Sequence, residues 1–395
     1  MLIFMKKIIL ALIICFVFIT RVNAENENIS SDVINLKSQS GIIIEADTGK
    51  VLFEKDADTK RAPASMTKIM TMLLIVEELE KGNISLKDEV TISERAASMG
   101  GSQIYLEKGS TATVEELLTT IAVGSANDSA VAMAEKIGGT VENFVVLMNK
   151  RAKQLGANNT TFKNPHGLDE EGHETTARDM ALIAKEVVKH DNIIKLSSTY
   201  ETTITHKNGK SLWLVNTNSL IKFYSGLDGL KTGFTDKAGY CLTGTMKRND
   251  MRLITVVMHA ETKEDRNTDT INMMEYAYSM YNKKTLVSSE NYLGNMFIDN
   301  AKSRKVKYYL EKDANVIVDK NTREVNYKYD IELDNIKAPL KKGDKIGTLK
   351  LNYNNEIIDY NLIVKEDVYK SNFFTRMKNY FKDILNGSIN ALGKM

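Results

Sequence analysis

Cysteine is nearly missing from this chain: Cys15 and Cys241 are the two it has in 395 residues. Cys15 falls in an N-terminal stretch that reads as a removed leader. The mature chain would then keep Cys241 alone, which excludes an internal disulfide and any cysteine-based metal cluster. An excess of one charge is missing too: 53 Lys and Arg face 51 Asp and Glu, a formal net charge of +2, with the signs interspersed. No overall field therefore recommends nucleic acid as a partner. Histidine is scarce, at five. His166 and His173 flank an acidic stretch of Asp169, Glu170, Glu171 and Glu174, but without the close spacing of zinc motifs, so no metal and no cofactor are expected. No G-x-S-x-G surrounds Ser65, which argues against a His-assisted serine triad of that type. No internal repeat and no low-complexity tract is found. The apolar run from Ile8 to Ile19 is about half the ~20 residues needed to span a bilayer.

That run nonetheless has a purpose in the grammar of export. Lys6 and Lys7 precede it, and Val22-Asn23-Ala24 follows with small residues placed for cleavage, so residues 1–24 are expected to be a signal peptide. The remaining length suits two domains. Two short apolar stretches around Asp47-Thr48-Gly49 predict a β-hairpin, and Ile69, Met70, Leu73, Leu74 and Val76 predict a largely buried helix over residues 66–79, with Pro63 and Ser65 as its start signals. Further helical patterns occupy residues 114–122, 130–137, 141–155 and 176–188. Strand patterns at 238–246 and 252–259 flank a Lys247-Arg248-Asn249-Asp250 turn. Strands at both ends with helices between predict one antiparallel sheet built from both termini, an α+β arrangement. Short alternating runs over about 305–364 predict a small all-β domain. The expected organisation is a catalytic domain at 25–285, an all-β domain at 286–365 and a terminal helix at 366–395. In that helix Phe373, Phe374, Met377, Phe381, Ile384, Leu385, Ile389 and Leu392 share helical spacing, with Lys370, Arg376, Lys378, Lys382 and Lys394 among them. Such a segment suits a membrane interface, and the alternative is packing on the β-domain.

Ser65-Met66-Thr67-Lys68 opens the first buried helix. Residues three apart in a helix share a face, so the hydroxyl and the amine can meet, and a lysine whose pKa is lowered by burial and nearby positive charge can take the serine proton. The spacing alone is weak, because Ser219-Leu220-Ile221-Lys222 repeats it. Ser125-Ala126-Asn127 sits in a polar break between helical runs, a form shared by Ser289-Glu290-Asn291 and Ser388-Ile389-Asn390. By itself it reads as a helix cap. Lys231-Thr232-Gly233 occurs once, before the next strand. Its glycine would let a substrate backbone approach a strand edge, and a plain turn leading into the strand is the alternative.

In this order the three motifs resemble the active-site signature of penicillin-binding proteins and serine β-lactamases. The surroundings narrow the likeness to low-molecular-mass penicillin-binding proteins, the serine-type D-alanyl-D-alanine carboxypeptidases: Ala62-Pro63-Ala64-Ser65, Gly124-Ser125-Ala126-Asn127-Asp128, Asn164-Pro165-His166-Gly167-Leu168, Thr176-Ala177-Arg178-Asp179 and the run from Gly226 to Thr235. Ala338-Pro339-Leu340-Lys341-Lys342-Gly343-Asp344 is similar to the β-domain these enzymes carry. The resemblance implies a D,D-peptidase-like domain, an antiparallel sheet with a helical cluster, followed by the β-domain and an amphipathic helix. It implies Ser65 as nucleophile, Lys68 as base and Ser125 as proton relay. Asn127 would position the substrate amide and Lys68, Lys231 and Thr232 would grip the terminal carboxylate, and the N–H groups of Ser65 and Phe234, next to Gly233, would form the oxyanion hole. Arg248 is a second candidate for the carboxylate.

The expected substrate is the peptidoglycan stem peptide, with β-lactams as covalent inhibitors. The expected place is outside the cell, on the outer face of the cytoplasmic membrane. Other readings are a class A β-lactamase, which lacks support because no Glu-x-x-Leu-Asn follows Ser125, a non-catalytic drug-sensing or wall-binding module, and a structural wall protein.

Overall fold

The computed structural model describes residues 34–378 except 206–208 and 210, together with Phe381 and Ile384. The expected leader at 1–24 and the last turns of the terminal helix lie outside the described residues.

Chain from both ends of the first domain makes one antiparallel sheet. Its strands are β1 (Ser40–Glu45), β2 (Val51–Lys55), β3 (Leu227–Thr235), β4 (Gly239–Arg248) and β5 (Met251–Ala260), in the spatial order β2-β1-β5-β4-β3. β1 and β5 are buried along most of their length, as strands covered on both faces must be. The helical cluster between β2 and β3 holds α1 (Lys68–Glu80), α2 (Asn127–Gly138), α3 (Val141–Gln154) and α4 (Ala177–Val187). α1 is the core of this cluster: every residue from Lys68 to Val76 is buried, and the apolar ones pack with Ile42 and Ile44 of the sheet and Phe144 of α3 in one hydrophobic core.

The second face of the sheet is covered by α5 (Lys263–Met280), an 18-residue helix that no apolar period announces. Its buried stripe begins with Arg266, Asp269 and Thr270 and becomes apolar only from Met273 onward, so the usual hydrophobic period is hidden by polar residues that are nonetheless inside. Asp269 explains itself, accepting from the Ser38 amide at 2.7 Å and the Lys37 amide at 3.2 Å, and so tying the chain before β1 to the helix.

Beyond α5, from Tyr281 to Ile363, the chain forms only strands and loops. β6 (Tyr281–Val287) pairs with β9 (Ala314–Asp319), and β7 (Gly294–Phe297), β8 (Lys305–Leu310), β10 (Lys328–Leu333), β11 (Lys345–Tyr353) and β12 (Glu356–Ile363) form a sheet in the order β7-β8-β12-β11-β10. This part has its own apolar core, including Val306, Leu310, Leu349 and Leu362.

Candidate active site

Ser65 lies in a single 3-10 turn, Ala64–Thr67, that leads directly into α1. Ala64 just before it holds φ 46° while fully buried. A non-glycine residue in that region is strained, and such strain persists only where packing enforces it. Gly167 supplies the enforcement: a Cβ there would stand 1.9 Å from the Ala64 carbonyl oxygen. The turn is also braced through a chain of hydrogen bonds. The Lys163 amide donates to His173 Nδ1 at 2.9 Å, which leaves Nε2 to donate to Thr67 Oγ1 at 2.8 Å, and Thr67 donates to the Ala64 carbonyl at 2.8 Å.

Lys68 opens α1 one turn after Ser65, fully buried. Its Nζ lies 3.1 Å from Ser65 Oγ, 2.7 Å from Asn127 Oδ1 and 2.5 Å from the His166 carbonyl oxygen. Burial, and next the charge of Lys231, hold its pKa well below the ordinary lysine value, while the Asp128 carboxylate opposes them. The arrangement suits a neutral amine. Its two N–H bonds serve Asn127 and His166, and its lone pair faces the Ser65 hydroxyl.

Asn127 begins α2 immediately after a π-helical turn, Thr120–Gly124, and Ser125 takes the left-handed region between them with φ 62°. Both side chains are buried. The loop in front is fastened to this turn: Asn127 Nδ2 donates to the Gly100 carbonyl and the Asn127 amide to the Ser102 carbonyl, both at 2.7 Å. Asp128, wholly buried, accepts from the amides of Ile104 at 3.0 Å and Leu106 at 3.2 Å.

β3 brings the third motif. The Cβ position of Gly233 lies 2.9 Å from the Pro63 carbonyl and 3.2 Å from the Ser65 amide, so only a glycine lets this edge come so near the nucleophile. Lys231 and Thr232 meet at Thr217, whose Oγ1 receives Lys231 Nζ at 3.2 Å and Thr232 Oγ1 at 2.7 Å, and whose amide reaches the Val123 carbonyl at 3.3 Å. Thr217 thus stitches β3 to the Ser125 turn. Burial, reinforced by the Arg266 guanidinium, lowers the Lys231 pKa to about 7. Phe234 turns its ring outward, 51% exposed, against Tyr240.

Ser65, Lys68, Ser125, Asn127, Lys231, Thr232, Gly233 and Phe234 are therefore neighbours in one place. Arg248 is not among them. It ends β4, five residues beyond the cross-strand partner of Lys231, or about 17 Å along a strand. There it pairs with Glu275 at 3.2 Å and lies over the Tyr278 ring. The cation that does act on Lys231 is buried Arg266, which is hidden in the sequence by the polar start of α5. Thr217 and the His166 carbonyl were equally silent: one is an isolated threonine, the other a backbone atom. The repeated spacing at Ser219 and Lys222 lies outside the site, with Lys222 on the Tyr200 ring. Among the described residues, the side chains grouped as metal donors are Glu77, Glu186 and His190, at the far end of α1, where Arg151 already pairs with both carboxylates.

The sequence matches the family described as D-alanyl-D-alanine carboxypeptidase over residues 25–262, and the penicillin-binding protein 5 C-terminal domain over 281–370. It is 43% identical over 384 residues to the D-alanyl-D-alanine carboxypeptidase DacF of Bacillus subtilis, covering 96% of this chain and 99% of the relative. The solved penicillin binding protein 5 of Haemophilus influenzae matches with a TM-score of 0.69 at 30% identity, over 85% of this chain and 98% of that one. Penicillin-binding protein D2 of Listeria monocytogenes, solved in its ampicillin-bound form, matches with a TM-score of 0.56 at 32% identity, over 62% of this chain and 99% of that one.

Proposed function

The chain belongs to the family of serine D-alanyl-D-alanine carboxypeptidases, and we propose that its acyl-enzyme forms on Ser65. The observation that carries this reading is the Lys68 amine, buried and depressed in pKa, 3.1 Å from the Ser65 hydroxyl with its remaining partners supplied by Asn127 and His166.

Lys68 takes the Ser65 proton as Oγ attacks the carbonyl of the penultimate D-alanine. The oxyanion is held by the amides of Ser65 and Phe234, donors in place before the charge develops. The C–N bond then breaks, and the proton passes from Lys68 through Ser125 to the departing amine. Water, losing its proton to Lys68, cleaves the ester and restores the serine. Lys231 and Thr232 hold the substrate's terminal carboxylate, and Arg266 adds to the positive field at that end. Arg248, at the far tip of β4, has no part. β-Lactams enter by the same attack, consistent with the ampicillin-bound relative.

Residues 1–24 direct export, 25–285 carry the chemistry, 286–365 form the β-domain, and the stretch 366–395, whose first residues up to Ser371 still pack on that domain, attaches the enzyme to the outer face of the cytoplasmic membrane. The described part of that last segment supports attachment: residues 373–378 are helical, and Phe373, Phe374, Met377, Phe381 and Ile384 are exposed. Among the described residues no helix is long and apolar enough to cross a membrane, so the contact would be peripheral.

Mass spectrometry tests the chemistry. Benzylpenicillin should add once, on the peptide containing Ser65, and the same protein should release many equivalents of D-alanine from a D-Ala-D-Ala peptide. An adduct at Ser125 or Ser219 would sink the assignment of the nucleophile, and release of no more than one equivalent would identify a sensor.

A further inference from the structure

The β-domain carries a cavity of about 530 Å³ between β8 and the segment that leads into the terminal helix. Strand alternation explains its lining: Val306, Tyr308 and Leu310 of β8 turn into the core, which sends Lys305, Lys307 and Tyr309 to the other face. Lys302 and Lys365 add two more cations, and Val364 and Val368 supply apolar floor. Lys365 lies 5.0 Å from the centre of the Tyr309 ring and 2.9 Å from Glu290. Among the described residues, no ion pair engages Lys302, Lys305 or Lys307. Two carboxylates, Glu366 and Asp367, also line the cavity, and Asp367 accepts from the Lys342 amide at 2.9 Å.

Position gives the groove its meaning. The Lys302 amide donates to the Tyr369 carbonyl at 2.8 Å, and Ala301 bridges to Lys370. The cavity therefore opens at the root of the exposed apolar helix, where Phe373 and Phe374 begin. A cationic recess with an apolar floor, continuous with a surface that would rest on acyl chains, matches one amphiphile: a phosphodiester above hydrocarbon.

We propose that this groove seats the phosphodiester head group of an anionic phospholipid, fixing the β-domain at the membrane surface beside the helix. The proposal rests on the membrane reading above and adds a specific lipid site to it. The test measures binding of the full exported chain to phosphatidylcholine vesicles with and without phosphatidylglycerol. Lys305→Gln/Lys307→Gln is compared with a charge-matched control, Lys328→Gln/Lys337→Gln, whose residues are exposed elsewhere on the β-domain. The groove variant should bind phosphatidylglycerol vesicles about tenfold more weakly than the control, with unchanged penicillin acylation and an unchanged circular dichroism spectrum and thermal melt showing that both domains are folded. Soluble glycerophosphoglycerol should compete in the wild type better than inorganic phosphate at equal ionic strength. Equal binding by the two variants would overturn the groove while leaving the helix as anchor. Equal competition by inorganic phosphate would make it a general anion pocket and overturn the head-group assignment. No vesicle binding by the wild type would remove the membrane reading and this proposal with it.

Discussion

Lys68 gives its two N–H bonds to Asn127 and His166, turns its lone pair to the Ser65 hydroxyl and touches no carboxylate, so a proton would leave a buried charge, offset only in part by the Asp128 carboxylate, on Lys68. Replacing it with alanine should keep the fold but cut penicillin acylation by roughly 10³-fold, in the range of general-base effects. Intact-protein mass spectrometry against time reads this directly, and near-normal acylation would mean that another group is the base. Lys231 sets the opposite limb of the pH profile. It is charged below about 7 and neutral above, so kcat/KM for a peptide with a free C-terminal carboxylate should fall as pH rises through that value in the free enzyme. Arg266→Gln removes the neighbouring charge that helps depress Lys231, and should move this limb upward. An unmoved limb would show that Lys231 titration does not govern it. Gly167 is as demanding as either lysine. Its φ of 93° and its contact with the Ala64 carbonyl leave no place for a methyl group. Gly167→Ala should destabilise the protein by several kcal/mol through overpacking and strain, or displace the Ser65 turn and abolish acylation. A variant normal in both Tm and acylation would refute this account of the turn.

At the scale of elements, the loop from Asn164 to His173 clamps the start of α1 through two buried neutral histidines. Burial is the main cause that lowers His166 to about 3 and His173 to about 4. Both folded values lie below the unfolded value of about 6.5, so below that pH the unfolded chain binds protons that the folded one refuses. Stability should be full above about pH 6.5 and decline as pH falls toward about 4. Urea titrations across that window should show the decline. They should show less of it in His173→Gln, which also loses a bond to Thr67 or to the Lys163 amide. An identical slope in the variant would exclude His173 as a source. The same scale shows what a sequence reveals. α1 was legible because its apolar period is unbroken from Ile69, and β4 and β5 because a polar turn separates two apolar runs. α5 was not, since Arg266, Asp269 and Thr270 occupy its buried stripe. The hairpin Glu201–Thr205 and Ser211–Val215 was also missed. Only one residue of each of its strands is buried, so neither shows a strong apolar alternation.

For the whole molecule, legibility divides between side chains in local patterns and partners assembled by folding. Ser65 and Lys68 are one helical turn apart, so their meeting follows from spacing, and Asn127 and Lys231 follow from motif order. Thr217, Arg266 and the His166 carbonyl join the site only through the sheet and the long loop, which no local pattern encodes. Arg248 shows the converse error, a turn arginine near in sequence to the right strand but at its wrong end. Packing also marks the end of the β-domain. Val368 and Ser371 are buried, Leu340 pairs with Val368, and the Ser371 hydroxyl donates to the Asn300 carbonyl at 3.0 Å, so chain up to this point belongs to the β-domain. Phe373, Phe374, Met377, Phe381 and Ile384 are exposed, and the folded body gains little from them. A chain ending at Asn372 should therefore keep its Tm within a few degrees and turn over a soluble D-Ala-D-Ala peptide within about twofold of the full chain, since surface segments away from packed features contribute little stability. It should lose sedimentation with anionic vesicles, and the full chain's binding should weaken as salt shortens the Debye length from about 10 Å at 0.1 M. A collapse of Tm or of soluble-peptide turnover would place the terminal helix in the folded core instead of on the membrane.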